Sequence, residues 1–423
     1  DYSNVEIDIL DGKKYLVFGA DSNLNLATVG YYTPLLTGNS VYHHSGTSLD
    51  GGSSPVSGID IGDTHGCAII DNATKCWGIG TTGQLGDNNF GPGSLSPVSV
   101  SLVPGFTPIE VAVSIQESDS SGSGFTCSLY KNETTDARPV LCWGMGTYGN
   151  LGEGTSTDNV GEPSASVMVI DSSDGVTTLG FVDDSQYHAT GPNDVKKIAS
   201  SRDGTHSCAL SYEGHVKCWG YNSLGQLGIG NTSNIGDNIN EMGDDQAFVP
   251  LGTNRTAIDI AVGVYHSCAI LDNYSVKCWG YNAYGQLGYG NTTNIGHQAN
   301  DMWGDRHTTV DLGVNVTAVD ITAGYYHTCV ITNLDEVKCW GNNQYGQLGI
   351  GNTLQIGDNA GEMGDNLASV DLGYGRTAIK ITSSGHSTCA ILDSGLVKCW
   401  GYNQYGQLGI GNTNHIGDNS GEM

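Results

Sequence analysis

Cysteine is the residue of this chain with the clearest chemistry, because its twelve cysteines form six pairs of nearly fixed spacing. In every pair the second cysteine is followed directly by Trp-Gly. The pairs are Cys67/Cys76, Cys127/Cys142, Cys208/Cys218, Cys268/Cys278, Cys329/Cys339 and Cys389/Cys399. Opposed cysteines can form a disulfide, and an even number with none left over indicates a disulfide framework. We therefore expect six disulfides and a secreted, extracellular protein.

Two other states of these cysteines are open, namely reduced buried thiols and zinc ligands. Cys268 and Cys278 are equidistant from the turn residue Asn273, so they face each other across a hairpin and favour a disulfide. Zinc is disfavoured because its ligands would lie along opposed strands rather than in Cys-x-x-Cys pairs.

Histidine also recurs, two or three residues before the first cysteine of a pair. A ring of such histidines could bind a metal ion, but repetition alone explains them as imidazoles that bridge backbone groups at each repeat. We expect this structural role and no metal. The histidines are His65, His206, His266, His327 and His386.

Long loops rich in Gly, Asn and Asp recur at 228–238, 348–359 and 408–419. Their oxygen-bearing side chains could hold Ca²⁺, although the spacing does not match the twelve-residue calcium loop. The same residues are ordinary turn formers, and His297 replaces the Asp found at Asp237 and Asp358. We expect no cofactor, with Ca²⁺ as the open alternative.

The sequence contains seven Asn-x-Ser/Thr sequons, about as many as chance predicts in so Asn-rich a chain. Asn72 and Asn273 fall at predicted hairpin tips, where an N-glycan would be sterically free. Possible glycosylation sites are Asn72, Asn132, Asn231, Asn254, Asn273, Asn291 and Asn315.

The sequence has no Gly-x-Ser-x-Gly motif, no phosphate-binding loop and no asymmetric cluster of acidic residues and histidines. Near-identical repeats favour a broad recognition surface over a single reacting centre, so we expect no enzyme activity. A specific site would most readily be carried by the insertions at 28–56, 86–108 and 154–197, because loops on a rigid scaffold carry function.

The elements that position these residues are visible between 258 and 290. Three short β-like runs occur there, at 258–260, 266–270 and 276–279. A loop punctuated by glycines follows, and 310–313 provides a fourth run before the cycle restarts. Four short strands without helical periodicity, repeated about every 60 residues, are typical of a β-propeller blade.

The motifs His-Ser-Cys-Ala, Val-Lys-Cys-Trp-Gly and Asn-x-x-Gly-Gln-Leu-Gly resemble the repeats of the regulator of chromosome condensation (RCC1) superfamily. The resemblance is close over 200–423, clear at 59–88 and 122–153, and degenerate before residue 50. It implies an all-β fold, a seven-bladed β-propeller with four short antiparallel strands per blade. We expect one domain over 1–423, with blades starting near 5, 58, 110, 196, 257, 318 and 378.

The two ends of the repeat pattern differ from its middle. In the first blade Val17 and Ala27 stand where the cysteines of later blades stand, so that blade lacks a disulfide. The last blade lacks a counterpart of the strand at 368–372 before Met423. Two interpretations are open, namely that this strand belongs to residues beyond Met423 or that another segment supplies it. An open strand edge is a template for pairing, and residues 1–4 of the same or another copy are a possible donor.

Charge excludes some partners. Lys and Arg together number 16 against 44 Asp and Glu, and the net charge is −28. Nucleic acids and anionic membrane surfaces need basic residues, so we expect neither as a partner.

No apolar run is long enough to span a bilayer. A start at Asp1 fits a mature chain whose signal peptide has been removed.

The founding activity of the RCC1 family is nucleotide exchange on a small GTPase with chromatin binding, and the acidic charge and the expected disulfides argue against both. We expect an extracellular structural or interaction protein that assembles with itself into a filament or sheath through an open blade edge. A secreted propeller that binds or inhibits another protein is the first alternative, and a carbohydrate-binding propeller is the second.

Overall fold

The structure of this chain is a computed structural model. It describes residues 16–17, 29–30, 56–62, 65–101, 105–115, 124–132, 138–152, 154, 170–171, 176–177, 195–201, 206–238, 241–242, 246–302 and 309–423. The first predicted blade therefore lies largely outside the described residues, as does the tail at 1–4. No α-helix occurs among the described residues, and short 3₁₀ turns lie at Thr147–Gly149 and Gly364–Asn366.

The strands are β1 (Leu16–Val17), β2 (Val29–Gly30), β3 (Val56–Ile61), β4 (His65–Ile70), β5 (Ala73–Gly78), β6 (Ser94–Ser99), β7 (Phe106–Ile115), β8 (Gly124–Asn132), β9 (Val140–Gly144), β10 (Ile170–Asp171), β11 (Val176–Thr177), β12 (Val195–Ser200), β13 (His206–Ser211), β14 (Val216–Gly220), β15 (Ala257–Val262), β16 (His266–Leu271), β17 (Val276–Gly280), β18 (Ala318–Ala323), β19 (His327–Thr332), β20 (Val337–Gly341), β21 (Ala378–Ser384), β22 (Ser387–Leu392) and β23 (Val397–Gly401).

Six sheets, in which strands consecutive in the chain pair with one another, follow one another through the described residues. The first is β3-β4-β5-β6, and the others are β7-β8-β9, β12-β13-β14, β15-β16-β17, β18-β19-β20 and β21-β22-β23. Neighbouring strands pair antiparallel, as in β12-β13, β19-β20, β3-β4 and β8-β9. These sheets are the repeats predicted from the cysteine spacing, and they account for six of the seven expected blades. Two further sheets, β1-β2 and β10-β11, have two-residue strands.

Burial explains why the middle strand of a repeat is a continuous apolar run. All six residues of β16 and of β19 are buried, because both faces of the strand are covered. The first strand is less buried and carries a β-bulge near its start, as at the register shift between Ala318 and Asp320 in β18.

The hairpin turns between the two cysteine strands follow from their residues. Asp71 and Asn72 both have positive φ, which a two-residue type I′ turn requires. In the longer turn after β16, Tyr274 adopts positive φ and donates its backbone N–H to the carbonyl of Leu271. Both arrangements place the two cysteines directly opposite each other, at Cys67↔Cys76 and Cys268↔Cys278.

The fourth strand of a repeat is mostly shorter than the sequence suggests. It is a six-residue strand in one sheet, where β6 pairs with β5. Elsewhere it is reduced to brief pairings on the outer edge, such as Val276↔Val310 and Lys338↔Ser369.

The described chain divides into two compact units. One comprises 1–55, 261–295 and 304–423, and the other 56–260 and 296–303. The cores of both units are built from cysteines, Ile, Leu and Val around buried tryptophans, Trp340 and Trp400 in the first and Trp143 and Trp219 in the second. A single domain over 1–423 stays a prediction.

Candidate functional site

The cysteines form six disulfides, as the sequence predicts, and no free cysteine remains. In each, the Cα atoms lie 4.0–4.1 Å apart, and each bridge joins the second and third strands of one sheet. The bridged residues are buried. These cysteines therefore stabilise the repeats and are not exposed reactive groups.

A hydrogen-bonded unit that we call the repeat latch joins consecutive repeats. The Thr328 hydroxyl donates to the carbonyl of Gln286 at 3.0 Å, and the Trp340 indole N–H donates to the same oxygen at 3.0 Å. His266 Nε2 lies 3.0 Å from Thr328 Oγ1. Because the single hydroxyl proton goes to the carbonyl, His266 must donate from Nε2.

The latch recurs with the same four residue types. Its other copies are His65–Thr126–Gln84–Trp143 and His327–Thr388–Gln347–Trp400. Burial lowers the pKa of His65, His266 and His327 to about 3, so all three are uncharged at neutral pH. These three histidines are structural, but they bind a threonine side chain of the next repeat and not the backbone groups that the sequence predicts.

Glycine is required beside two of the latches. A Cβ atom on Gly263 would clash with the imidazole of His266, and one on Gly324 would clash with the imidazole of His327. Nδ1 of each imidazole has no hydrogen-bond partner among the described residues. The described residues also contain no cluster of three or more His, Cys, Asp or Glu side chains placed to share a metal ion.

His386 is not a member of this buried series, which corrects the interpretation from spacing alone. It precedes Cys389 by three residues, whereas the latch histidines precede their cysteines by two, and Ser387 takes the latch position. The structure places its ring against Tyr325 and Tyr345, with centroid distances of 5.1 Å to each. Burial lowers the pKa of His386 to about 4.

The carboxylates of the Gly- and Asn-rich loops are used within the loops. Glu362 accepts backbone N–H groups of Gly357 and Asn359 at 2.9 and 3.0 Å, and Glu241 and Glu422 do the same in their repeats. Burial opposes ionisation of Glu362, but the hydrogen bonds from Asn359 and Gly357 outweigh it and lower the pKa. Burial and the charge of Glu362 raise the pKa of Asp358. Glu241, Glu362 and Glu422 thus cap loops, and calcium binding stays an untested alternative.

These loops also connect repeats. The N–H of Gly351 donates to the carbonyl of Gly417 at 3.0 Å, and Gly230 binds Gly296 in the same way. A Cβ atom on Gly346 would clash with the backbone N–H of Asp418. The turns at Gly149, Gly225, Gly285 and Gly346, each after a third strand, therefore contact the loop of the next repeat.

Six of the seven sequon asparagines are exposed, and Asn132 is half-buried. Several are held in local turns: Asn231 accepts the N–H of Ser233, and Asn291 accepts the N–H of Thr293, both at 2.8 Å. The amide oxygen is the acceptor in both bonds, and the amide nitrogen of Asn291 donates to the carbonyl of Tyr289 at 3.1 Å. Glycosylation stays a prediction.

Sequence reasoning missed a cluster of rings that we call the aromatic surface. Its members contact one another in a continuous series, with centroid distances of 4.7–6.5 Å, and most are half-buried. Such distances are those of edge-to-face and tilted aromatic pairs. The aromatic surface comprises Tyr265, Tyr281, Tyr284, Tyr325, Tyr326, Tyr345, His386, Tyr402, Tyr405 and His415.

The aromatic surface arises from recurring sequence positions. Most of its tyrosines lie three residues before a first cysteine, or three or six residues after a second cysteine, and the fold brings those positions together between repeats. Burial and the neighbouring phenols of Tyr405 and Tyr345 raise the pKa of Tyr402 to about 12. Tyr402 is therefore neutral at physiological pH.

The second feature of interest is the outer edge of β23. Cys389 and Cys399 are a closely spaced pair, so the N–H and C=O groups of Val397 and Cys399 point away from β22. In the described residues this edge pairs only at Gly401↔Ile416. At the equivalent edge of β20, Val337 also accepts the N–H of Val370 at 2.8 Å. Val397 is half-buried, whereas Val337 is fully buried.

No helix in the described part of the chain has the length and apolar character needed to cross a membrane.

Comparisons with known proteins agree with the repeat pattern. The family described as regulator of chromosome condensation (RCC1) repeat matches residues 195–226, 257–286, 318–347 and 378–407, and a second description of the same repeat matches 213–270. The chain therefore carries RCC1 repeats, and it has the all-β fold of RCC1-like β-propellers.

Among relatives, the ultraviolet-B receptor UVR8 of Arabidopsis thaliana is 26% identical over 361 residues, which are 84% of this chain and 67% of the receptor. The human E3 ubiquitin-protein ligase HERC2 is 27% identical over 351 residues, but these are only 6% of the ligase. The activity of such a large protein therefore does not transfer to this chain.

Solved structures show the same fold. Human WBSCR16 has a TM-score of 0.62 at 16% identity, covering 98% of this chain and 93% of its own. Prp20p of Saccharomyces cerevisiae has a TM-score of 0.62 at 14% identity, covering 99% and 85%. The Prp20p structure is described together with that protein's binding to Gsp1p and histones. At these identities the likeness concerns the fold.

Proposed function

We propose that this chain is an extracellular structural protein whose copies assemble with one another through the outer edge of β23. The observation that carries this proposal is the row of outward N–H and C=O groups at Val397 and Cys399, next to a pairing already made at Gly401. An unpaired edge of this kind binds an extended segment by adding a strand, with main-chain hydrogen bonds supplying the affinity.

A strand supplied by a second copy joins subunits head to tail, since the edge and the donor segment are different parts of the chain. Such heterologous contacts produce a ring or an open filament. The tail at 1–4 is the donor we favour, although it lies outside the described residues. This function requires no catalytic group.

Two properties support the extracellular assignment. Six buried disulfides persist in an oxidising environment and are rare in the cytosol. A net charge of −28 keeps the surface acidic and disfavours nucleic acid as a partner.

The test compares two proline substitutions at equivalent positions. Val397→Pro removes an outward N–H from an edge where proline is tolerated if nothing pairs there. Val337→Pro is the control at the same register of β20, where the Val337 side chain is fully buried and its carbonyl already accepts the N–H of Val370, so a proline ring disturbs an edge that is packed and covered. We expect Val397→Pro to stay folded but to abolish polymers in electron micrographs, and Val337→Pro to lower the melting temperature.

Two outcomes decide against self-assembly. One is wild-type protein that remains monomeric in light scattering at high concentration. The other is a polymer that forms equally well with Val397→Pro. If polymers form, mixing isotope-labelled and unlabelled copies before cross-linking tells whether the added strand comes from the same chain or from its neighbour.

The aromatic surface supports a second function, which is binding of another secreted protein. Tyrosine is enriched at the energetic centres of protein interfaces, because it buries a large rigid ring and keeps a hydroxyl for hydrogen bonding. Replacement of Tyr326 by Ser removes a ring that contacts Tyr284 and Tyr265, so it should weaken capture of a partner without affecting polymers. If the wild type binds a glycan and the Tyr326→Ser variant does not, the carbohydrate-binding alternative is favoured.

A further inference from the structure

Every disulfide joins two strands of one sheet. Apart from the polypeptide chain itself, consecutive repeats are held together in the described structure by noncovalent contacts, such as the repeat latch. A covalent bond between repeats would need reactive side chains that meet at such a junction.

Tyr345 and Tyr402 meet at one of these junctions. Their ring centroids lie 4.7 Å apart, and the ring planes are tilted by 59°. Tyr345 is the sixth residue after Cys339, and Tyr402 is the third after Cys399, so the two rings come from consecutive repeats.

Tyrosines at the same two spacings from the cysteines form a second pair in the other unit. Tyr148 is the sixth residue after Cys142, and Tyr221 is the third after Cys218. Their centroids lie 4.9 Å apart at a tilt of 50°. Two occurrences in separate units show that the fold itself sets this geometry wherever both positions carry tyrosine.

Both pairs are reachable from solvent. Tyr345 and Tyr402 are half-buried, and the Tyr402 hydroxyl donates to the side-chain oxygen of Gln404 at 2.6 Å, on the exposed side. Tyr148 is 39% exposed. At least one ring of each pair is therefore accessible from solvent, while the other ring is held against it.

We propose that Tyr345 and Tyr402 form an oxidative coupling site, at which a peroxidase with hydrogen peroxide converts the pair into dityrosine, and that Tyr148 and Tyr221 form its counterpart in the other unit. The bond would link consecutive repeats, which the disulfides do not. It would also survive reductants that open disulfides.

The reaction balances with one peroxide per pair. Each phenol loses one electron and its hydroxyl proton, and the two phenoxyl radicals join through ring carbons next to the carbon that bears oxygen. The hydrogens on those two carbons move to the oxygens and restore both hydroxyls. The protein loses two hydrogen atoms in total, and hydrogen peroxide takes them up to become two water molecules.

The test treats dilute purified protein with peroxidase and hydrogen peroxide, followed by dityrosine fluorescence and mass spectrometry of peptides. We expect a cross-linked peptide that contains Tyr345 and Tyr402, with a yield independent of protein concentration because the rings are already in place. Tyr345→Phe and Tyr402→Phe should each remove it while keeping the ring packing, which the melting temperature verifies.

Tyr374→Phe is the matched control. Tyr374 is fully exposed and has no ring contact with another described residue, so it can couple only between molecules and only at high concentration. The proposal is overturned if the dityrosine signal is unchanged in Tyr345→Phe and Tyr402→Phe, or if Tyr374 is consumed while Tyr345 and Tyr402 remain uncoupled. Coupling of Tyr345 and Tyr402 takes place within one molecule and does not depend on self-assembly through β23. Either proposal can therefore fail while the other holds.

Discussion

His266 Nε2 lies 3.0 Å from Thr328 Oγ1, although 62 residues separate them in the chain. The contact joins two consecutive repeats at the one hydroxyl that also binds the carbonyl of Gln286. A side chain on one repeat thus completes the hydrogen bonding of the next, and this relationship occurs three times in the described residues.

Thr328→Val should destabilise the protein by about 1–3 kcal/mol, because it leaves the buried His266 imidazole and the Gln286 carbonyl each short of a partner. The measurement is the free energy of unfolding in denaturant. Thr413→Val at an exposed loop position is the control and should change it by less than about 0.5 kcal/mol. Equal effects of the two substitutions would mean that the latch does not contribute.

Stability should fall with acid through the latch histidines. Burial lowers the pKa of His266 to about 3 from an ordinary value of 6.5. Above pH 6.5 both the folded and the unfolded states are neutral at this residue. Below it the unfolded state binds a proton that the folded state does not, so the free energy of unfolding decreases as the pH falls from 6.5 towards 3.

The variant His266→Gln isolates this contribution from that of the carboxylates. Its free energy of unfolding should depend less on pH than that of the wild type, by up to about 1.4 kcal/mol per pH unit in this range. Above pH 6.5 the two curves should run parallel. Parallel curves over the whole range would show that His266 does not titrate between the two states.

Removal of one disulfide should cost stability without changing the fold. The bridge between Cys329 and Cys339 closes a loop with a sequence separation of 10, so replacement of both cysteines by Ala should cost about 2–3 kcal/mol. Thermal unfolding under non-reducing conditions measures the loss. Added reductant should lower the melting temperature of the wild type, and a melting temperature insensitive to reductant would contradict the expected contribution.

Gly346→Ala and Gly406→Ala test the contact between the turn after a third strand and the loop of the next repeat. Both glycines have a positive φ near 80°, so either substitution costs about 1–2 kcal/mol in backbone strain. Only at Gly346 would the new Cβ also meet the backbone of Asp418, whereas at Gly406 no described atom lies within 4 Å. We expect Gly346→Ala to lose about 1–3 kcal/mol more stability.

If the two variants melt alike, the loop contact at Gly346 is not tight. If Gly406→Ala folds normally but prevents polymers, the open turn beside β23 is itself part of the subunit contact.

The fold could be predicted from the sequence because its signals are local. The spacing of Cys268 and Cys278 around Asn273 predicts a hairpin and a disulfide together, and both are present. The aromatic surface could not be predicted in the same way. Tyr345 and Tyr402 are 57 residues apart, and only the docking of one repeat on another brings them together.

The place of His386 does not follow from its spacing alone. It lies one residue further from its cysteine than the latch histidines do, just before β22, and this difference of one residue gives its side chain another environment. Calcium binding by the acidic loops stays untested, and composition alone does not reveal that Glu362 accepts N–H groups of its own loop.

The pairing of each cysteine with the next one along the chain has a consequence for biosynthesis. Twelve thiols permit a very large number of wrong connectivities, yet here each correct partner emerges from the ribosome within 15 residues at most. Oxidation can therefore follow synthesis hairpin by hairpin, with little demand for disulfide isomerisation. An error or a cleavage in one hairpin leaves the bonds of the others intact, so chemical damage stays local.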